Sequence, residues 1–140
     1  MPPVIVRSGE SLRNEIEAGA HHFIADEPLS AGGSDSGPTP YDLLSAALGA
    51  CTSMTLKVVA KRENIPLEGV EVTVENDRMY AKDCADCLTK EGYIHHFTVT
   101  IKLIGDLTPA QRERMLSIAG RCPVNKALRF EIRIDEKLEA

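Results

Sequence analysis

Cysteines carry the most evident chemistry in this chain, and two of the four could form a redox pair. Cys51 lies inside an apolar stretch with helical spacing, residues 39–51, and Cys122 opens the segment 122–128 after a second helical stretch. They are 71 residues apart, so only tertiary folding can bring them together. If it does, one thiolate can attack an oxidant and the other can resolve the product as a disulfide.

Local physics favours Cys122 as the attacking thiol. Pro123 and helix-forming residues follow it, which predicts a helix N-terminus whose backbone N–H groups stabilise a thiolate. Cys51 lies too deep in its helix to gain from the helix dipole, so it would need a nearby Arg or His to become reactive. The alternative is that neither reacts, with Cys51 a small core residue and Cys122 a buried cap, because free cysteines are often buried.

Cys84 and Cys87 form a C-x-x-C motif, which occurs as a redox pair, as half of a zinc site, or as two unrelated thiols. A zinc site would need two further ligands, and no second paired spacing supplies them. The segment that follows is too short for the helix of a thioredoxin-like motif. We therefore expect a solvent-facing loop with labile thiols, and no metal.

The helices that position these cysteines have clear start signals. Thr39 and Asp42 predict a capping box with a shorter acid than usual, before a helix that ends near residues 61–64. Residues 108–111 predict a second capped helix, and Cys122 is expected to open a short third one.

Alternating apolar and polar residues predict strands in the rest of the chain. The predicted strands are residues 4–7, 12–17, 21–25, 70–75, 97–103 and 130–135, with a loop over 26–38. A short helix over residues 11–17 is the alternative to the second strand. The doublets His21-His22 and His95-His96 lie on strands, so we expect one residue of each pair to face inward. Together the elements indicate an α+β fold with antiparallel sheets.

Composition predicts one domain over residues 1–140 and limits the classes of function. A net charge of −5 and 4% aromatic residues argue against a nucleic-acid partner. The sequence contains no run of about 18 apolar residues, so we predict no membrane span. No signal peptide is evident, which favours the cytoplasm, where four cysteines indicate reactivity more than a disulfide framework. No phosphate-binding loop, zinc-protease motif or Ser-His-Asp arrangement is present, and we expect no cofactor.

Residues 37–54, which contain Thr-Pro-Tyr-Asp-Leu-Leu and Cys51, closely resemble the OsmC/Ohr family when taken with residues 122–124. The resemblance covers the chain from His21 to Ile134. It implies an intertwined homodimer with the cysteine helices at its centre and the sites at the subunit interface. It also implies that Cys51 attacks an organic hydroperoxide and that Cys122 resolves the sulfenic acid, the reverse of the local choice.

The chain departs from the family pattern in the groups that activate the thiolate. The family's Glu, ten residues before the attacking cysteine, is replaced by Tyr41, and the adjacent Asp42 is therefore the third predicted site residue. The family's Arg has no clear counterpart, and the candidates are Arg7, Arg13 and Arg121. Residues 26–28 and 83–87 resemble a less characterised branch of the family.

The resemblance implies a thiol-dependent peroxidase for oxidative-stress defence. It would reduce organic hydroperoxides, with H₂O₂ as a second candidate substrate, through a Cys51/Cys122 dithiol–disulfide cycle that an external dithiol restores. The alternative is a non-catalytic dimer of the same fold that binds a small molecule or acts as a scaffold. A third possibility is a metal-dependent thiol site at Cys84 and Cys87.

Overall fold

The computed structural model describes residues 1–139, which form two compact units, Met1–Leu44 and residues 45–139. The predicted α+β class with antiparallel sheets is confirmed. In chain order the elements are β1 Val4–Ser8, β2 Asn14–Ala18, β3 His21–Ala25, α1 Pro40–Arg62, β4 Gly69–Tyr80, β5 Tyr93–Ile104, α2 Pro109–Ala119 and α3 Pro123–Arg129. The single domain over residues 1–140 stays a prediction.

The first unit is built on a three-stranded antiparallel sheet in the order β1-β2-β3. Ile16, in the middle of β2, lies opposite Val6 on one side and Phe23 on the other, and its side chain is buried. Gly19 has a φ of +62° in the turn that joins β2 to β3, a conformation that favours glycine. The strand prediction for residues 12–17 is thus confirmed over its helical alternative.

Asp26 organises the loop that follows this sheet. Its buried carboxylate accepts hydrogen bonds from the Ser36 hydroxyl at 2.6 Å and from the N–H groups of Glu27, Ser34 and Ser36 at 2.8, 3.2 and 3.1 Å. The Ser36 hydroxyl and then the Glu27 N–H lower the pKa of Asp26 to about 2, because each favours the charged form. The loop therefore has a defined path although its composition predicts only irregular structure.

The long helix α1 begins at the predicted cap. The Thr39 hydroxyl accepts from the Asp42 N–H at 3.1 Å, and the Asp42 carboxylate accepts from the Thr39 N–H at 3.0 Å. This reciprocal pair satisfies two of the N–H groups that a helix start leaves without partners. The helix ends at Arg62, within the predicted range, and Asn64 follows with a φ of +56°.

The second unit is built on a long antiparallel hairpin of β4 and β5. The register runs without a bulge from Gly69 opposite Ile104 to Tyr80 opposite Tyr93. Leu56 on α1 and Met115 on α2 are the central core residues, with 0% and 1% of their surface exposed. The buried core around them consists of Leu56, Val59, Ala60, Ile65, Leu107, Met115, Ile118 and Ala119.

Gly49 allows β4 to approach α1 closely. A Cβ at this position would lie 3.3 Å from the Val74 side chain, so the glycine makes room for the strand. Beside it, the Asn76 side-chain amide donates to the Ser45 hydroxyl at 2.8 Å. These contacts fix the face of α1 that meets the sheet, and they explain a glycine that costs about 1 kcal/mol of helix propensity.

The two shorter helices also begin as predicted. Thr108 and Gln111 form a complete capping box at the start of α2. Arg114 on α2 makes a paired contact with Glu63, with N–O distances of 3.0 and 2.7 Å. The Glu63 partner raises the pKa of Arg114, and Arg114 lowers that of Glu63, as expected for an ion pair. The pair ties α2 to the end of α1.

The strand predicted at residues 130–135 is wrong for the single chain. Within residues 1–139, no strand pairs with this segment, and a strand requires a neighbour for its backbone hydrogen bonds. Its alternating apolar residues Phe130, Ile132 and Ile134 are instead 71%, 57% and 75% exposed.

The prediction that one histidine of each doublet faces inward is also wrong. His21, His22, His95 and His96 are all exposed, because both sheets leave surface uncovered at these positions. His96 lies 3.0 Å from the Asp77 carboxylate across the hairpin, where the register places the two residues opposite each other.

Apolar side chains are exposed along α1 as well. Met54 and Val58 are 65% and 63% exposed on this helix. Among the described residues α1 is the one helix whose length and hydropathy, 1.5 over its most apolar window, would allow it to cross a membrane. Core helices of soluble proteins meet the same criterion, so this is only a weak indication of a span.

Candidate active site

Cys51 lies in the middle of α1, on the wall of an apolar groove. The groove has a volume of about 490 Å³. Its walls are formed by Ala47, Ala50, Cys51, Met54, Thr55, Val58, Val59, Arg62 and Pro123. The small side chains one turn before Cys51 leave its thiol partly exposed in this groove.

Cys122 lies at the N-cap of α3 and has no exposed surface. Its sulfur accepts a hydrogen bond from the Asn125 N–H at 3.2 Å, the contact that an N-cap side chain normally makes. The Thr52 hydroxyl donates to the Leu48 carbonyl at 2.8 Å and also lies 3.9 Å from the Cys122 sulfur. The predicted helix start is confirmed, and the thiol points from it into the protein.

The two cysteines meet between α1 and α3, and neither is in a disulfide. The Val124 N–H, two residues after Cys122, donates to the Cys51 sulfur at 3.5 Å. The two thiols also interact directly, and this contact raises the pKa of Cys51. Tertiary folding therefore brings together the pair that the sequence places 71 residues apart.

The environment of Cys51 favours the neutral thiol. Burial raises the pKa of Cys51 above its ordinary value of 9.0, and the neighbouring Cys122 thiol raises it further. The Val124 N–H and the Thr55 hydroxyl act in the opposite direction, because both hydrogen-bond to the sulfur. None of these groups is a cation, so the local surroundings give the thiolate only hydrogen bonds.

Access and local stabilisation thus point to different cysteines. The helix-start N–H groups lie at Cys122, as the local argument predicts, but its sulfur is fully buried. Cys51 lacks the helix dipole, yet its sulfur can be reached from the groove. A reagent from solution can therefore reach Cys51 from the groove, whereas Cys122 has no exposed surface.

Asp42 lies in the N-terminal cap of α1, where its carboxylate accepts from the Thr39 N–H. It precedes Cys51 by nine positions, or two and a half turns of helix, so the two side chains leave α1 on opposite sides. Its catalytic role stays a prediction, while its capping role is confirmed.

The three Arg candidates have other positions or partners. Arg7 pairs with Glu17 at 3.1 Å, and Arg13 pairs with Glu15 at 3.3 Å, both within the β1-β2-β3 unit. Arg121 lies in the turn after α2, and its N–H donates to the Ile118 carbonyl.

Arg62 is the cation that lines the groove, and the sequence reasoning did not name it. It follows Cys51 by eleven residues, which is close to three full turns and about 16 Å along the helix. This spacing is the signal that could have identified it. At that distance Arg62 borders the far end of the groove and does not contact the Cys51 sulfur.

The C-x-x-C motif lies elsewhere, at the tip of the β4–β5 hairpin. Cys84 and Cys87 form a disulfide, so the expectation of two labile free thiols is wrong for this structure. The reason is local: a turn places the two Cα atoms 5.4 Å apart, a normal separation for a disulfide.

Comparison with known proteins gives one family and a set of similar folds. Residues 33–137 match the family described as OsmC-like protein. No curated protein matches the chain. An osmotic stress induced and detoxification response protein from Psychrobacter arcticus has 21% identity and a TM-score of 0.72, over 90% of this chain and 87% of that one.

Two further structures share the fold. An organic hydroperoxide resistance protein OsmC from Legionella pneumophila has 22% identity and a TM-score of 0.66, over 91% of this chain and 88% of that one. An OsmC like protein from Mycoplasma pneumoniae has 15% identity and a TM-score of 0.73, over 91% and 86%. At these identities the likeness establishes the fold alone.

Proposed function

The chain belongs to the OsmC-like family, and on this premise we propose that it is a cysteine-based peroxidase that reduces organic hydroperoxides. One observation carries the proposal. A partly exposed thiol, Cys51, stands in an apolar groove with a fully buried thiol, Cys122, in contact behind it. This is the order of access that an attacking and a resolving cysteine need.

The first step is attack by the Cys51 thiolate on a peroxide oxygen. The O–O bond breaks, the sulfur keeps one oxygen as a sulfenic acid, and the other oxygen leaves as an alcohol after taking a proton. In the second step the Cys122 sulfur attacks the Cys51 sulfur, an S–S bond forms, and water leaves. The peroxide is reduced by two electrons, and the two cysteines are oxidised by two.

An external dithiol completes the cycle by thiol–disulfide exchange. Its first thiolate attacks one sulfur of the Cys51–Cys122 disulfide and releases the other as a thiolate. Its second thiol then attacks the mixed disulfide, which releases the bound cysteine and closes the disulfide of the reductant. Cys51 is the sulfur that this reductant can reach, since Cys122 has no exposed surface. The reductant must therefore enter by the same groove as the peroxide.

The apolar lining of the groove favours an organic hydroperoxide over H₂O₂ as the substrate. Ala50, Met54 and Val58 present apolar surface beside Cys51, which an alkyl or aryl group can bury. H₂O₂ has no apolar group and gains nothing from these contacts. We expect the preference to appear mainly as tighter binding of the organic peroxide.

A homodimer is part of the proposal. The alternating apolar residues Phe130, Ile132 and Ile134, which are exposed in the single chain, would be covered by a second copy of the chain. Dimers are typical of the family, and an added edge strand would supply the partner that residues 130–135 lack. A cytoplasmic location is likewise proposed.

The deciding experiment is a steady-state assay with cumene hydroperoxide and with H₂O₂, each tested with several dithiol reductants, dithiothreitol among them. We expect the organic hydroperoxide to be consumed faster than H₂O₂, and much faster than by free cysteine at the same thiol concentration. A rate no higher than that of free cysteine would overturn the enzyme proposal.

The alternative function is a non-catalytic dimer that binds a small molecule in the same groove. The observation that favours it is the raised pKa of Cys51, because only the thiolate attacks a peroxide. A binding protein would bind an apolar probe without consuming peroxide. The assay above therefore separates the two functions on one preparation.

A further inference from the structure

We propose that the tip of the β4–β5 hairpin is a second redox centre, in which Cys84 and Cys87 exchange between disulfide and dithiol with external dithiols. This couple would act independently of Cys51 and Cys122. The proposal does not rest on the peroxidase function, and it stands or falls by its own experiment.

The backbone of the tip already has the geometry of the oxidised form. The Cys84 N–H donates to the Ala81 carbonyl at 3.1 Å, and the Cys87 N–H donates to the Cys84 carbonyl at 3.3 Å. These two turns set the Cα atoms of the cysteines 5.4 Å apart, within the usual range for a bridged pair. The couple can therefore open and close without rebuilding the backbone.

The disulfide should contribute little to the stability of the hairpin. The bond links residues only three positions apart, and a disulfide that closes so short a loop constrains the unfolded chain least. The end of the hairpin is also closed without it, by the Ala81 N–H to Gly92 carbonyl bond at 2.8 Å and by the stacked rings of Tyr80 and Tyr93, 4.6 Å apart. Because these contacts also close the hairpin end, the disulfide should open without unfolding the hairpin, as a redox couple requires.

External thiols can reach this disulfide. Cys84 and Cys87 are both partly exposed, and the residues between them, Ala85 and Asp86, are exposed. Leu88, directly after Cys87, is 98% exposed. The attack of a dithiol on either sulfur therefore needs no opening of the fold, in contrast to an attack on Cys122.

Asp86 disfavours a negative charge on the Cys84 sulfur. Its carboxylate lies 3.4 Å from the Cys84 sulfur, so a thiolate at Cys84 would face a like charge. In the exchange an external thiolate attacks Cys84 and Cys87 leaves as the thiolate, then the second thiol of the dithiol displaces Cys84, which takes up a proton. The external dithiol is oxidised by two electrons to its cyclic disulfide, and the tip is reduced by two.

The hairpin register separates this couple from the active site. Val74 on β4 packs beside Gly49 of α1, two residues from Cys51, whereas Cys84 follows the end of β4 at Tyr80. Six residues of strand span about 20 Å. The two pairs within one chain therefore cannot exchange directly, and each should keep its own redox state.

A metal site is the competing interpretation of the same residues. The two sulfurs and an Asp86 oxygen lie within 4.8 Å of one another. A closed zinc site takes four protein ligands, and among residues 1–139 this group supplies three. The disulfide excludes the ion from the oxidised form, so the redox proposal and the metal proposal predict different behaviour of the reduced protein.

The test is equilibration of the folded, full-length protein in dithiothreitol buffers of varied oxidised fraction, followed by acid quench, alkylation and peptide mapping. We expect Cys84 and Cys87 to change state together and reversibly, with the fold retained, and with the same midpoint in Cys51→Ser and Cys122→Ser. A disulfide that resists excess dithiothreitol, unfolding on reduction, or a midpoint that moves with Cys51→Ser would each overturn the proposal. So would one equivalent of zinc bound to the reduced protein that prevents reoxidation.

A kinetic measurement adds a readout that a purely structural bond would not change. Asp86→Asn removes the charge beside Cys84, so reduction by dithiothreitol should be faster by about fivefold, the factor for two unit charges about 4 Å apart in water. Asp83→Asn, on the same tip, is the matched control and should change the rate less. Equal effects of the two variants would refute the assigned role of Asp86.

Discussion

The two cysteine pairs of this chain are assembled by different means. Cys84 and Cys87 are three residues apart, and a turn at an exposed hairpin tip brings them together. Cys51 and Cys122 are 71 residues apart, and they meet only through tertiary contact between α1 and the start of α3, where the Val124 N–H donates to the Cys51 sulfur. The first pair depends on local backbone geometry and the second on tertiary packing.

This difference determines the chemistry available to each pair. The Cys84–Cys87 pair is partly exposed to solvent and can exchange with any dithiol that reaches it. In the Cys51–Cys122 pair, Cys51 is partly exposed in an apolar groove and Cys122 is fully buried. An order of reaction, with Cys51 first and Cys122 second, follows from that difference in exposure.

Serine substitutions should separate the pairs most clearly. Cys51→Ser is expected to reduce peroxide consumption to the background rate, because the attacking thiol is lost. Cys122→Ser should allow one turnover per chain and then stop, since the sulfenic acid has no resolving partner. Single-turnover kinetics with cumene hydroperoxide measure both, and Cys84→Ser is the control that should leave both steps unchanged.

The opposite order would contradict the assignment. If Cys122→Ser removed the first step and Cys51→Ser kept it, Cys122 would be the attacking thiol. Stabilisation of its thiolate by the helix start would then matter more than the exposure of Cys51.

Core packing should matter for one pair and not for the other. Leu56→Ala removes a side chain with no exposed surface and should lower the free energy of unfolding by about 2–5 kcal/mol. Leu88→Ala at the tip, where the side chain is 98% exposed, should change it by less than about 0.5 kcal/mol. Urea denaturation measures both variants, and equal losses would show that the tip is packed in a way this structure does not have.

The pH dependence of peroxide attack should reveal the environment of Cys51. Burial raises its pKa above 9.0, so at neutral pH the thiol is almost entirely protonated and the thiolate is the minor form. The single-turnover rate should therefore rise about tenfold per pH unit between about pH 6 and pH 8, as the thiolate fraction rises. A plateau below about pH 8 would mean that a cation stabilises the thiolate and lowers the pKa.

Asp42 should give the smallest effect. Asp42→Asn keeps an oxygen acceptor at the cap and removes a negative charge near the helix start, so the free energy of unfolding should fall by about 0.3–1 kcal/mol. The rate of peroxide attack should change by less than about tenfold, because the carboxylate is engaged with the Thr39 N–H. A much larger rate loss in a folded variant would give Asp42 the chemical role that the sequence comparison predicts.

Features set by a few neighbouring residues were predictable from the sequence. Both capping boxes, at Thr39 and at Thr108, appear as predicted because a cap involves residues only three positions apart. Alternation likewise identified β4 and β5, whose partners adjoin in sequence. The same alternation failed at residues 130–135, since a strand also needs a hydrogen-bonded partner and no strand within residues 1–139 pairs with this segment.

The sequence predicted which cysteines form the candidate site, but it did not predict the burial of each sulfur or the groove around them. The positions of Cys51 and Cys122 on their helices followed from local patterns. The order of reaction did not, because the exposure of each sulfur depends on what packs over it. Arg62 was missed for a similar reason: its place in the groove follows from helical spacing only once the groove is known.

The central claim is that Cys51 and Cys122 form one redox couple within a chain. One equivalent of cumene hydroperoxide is added to protein in which Cys51 and Cys122 are both reduced. The product is then alkylated, digested and analysed by peptide mapping. The account predicts a single new disulfide, Cys51–Cys122, within one chain. A product in which Cys51 and Cys122 both remain open to alkylation, with Cys84–Cys87 as the only bridge, would contradict it.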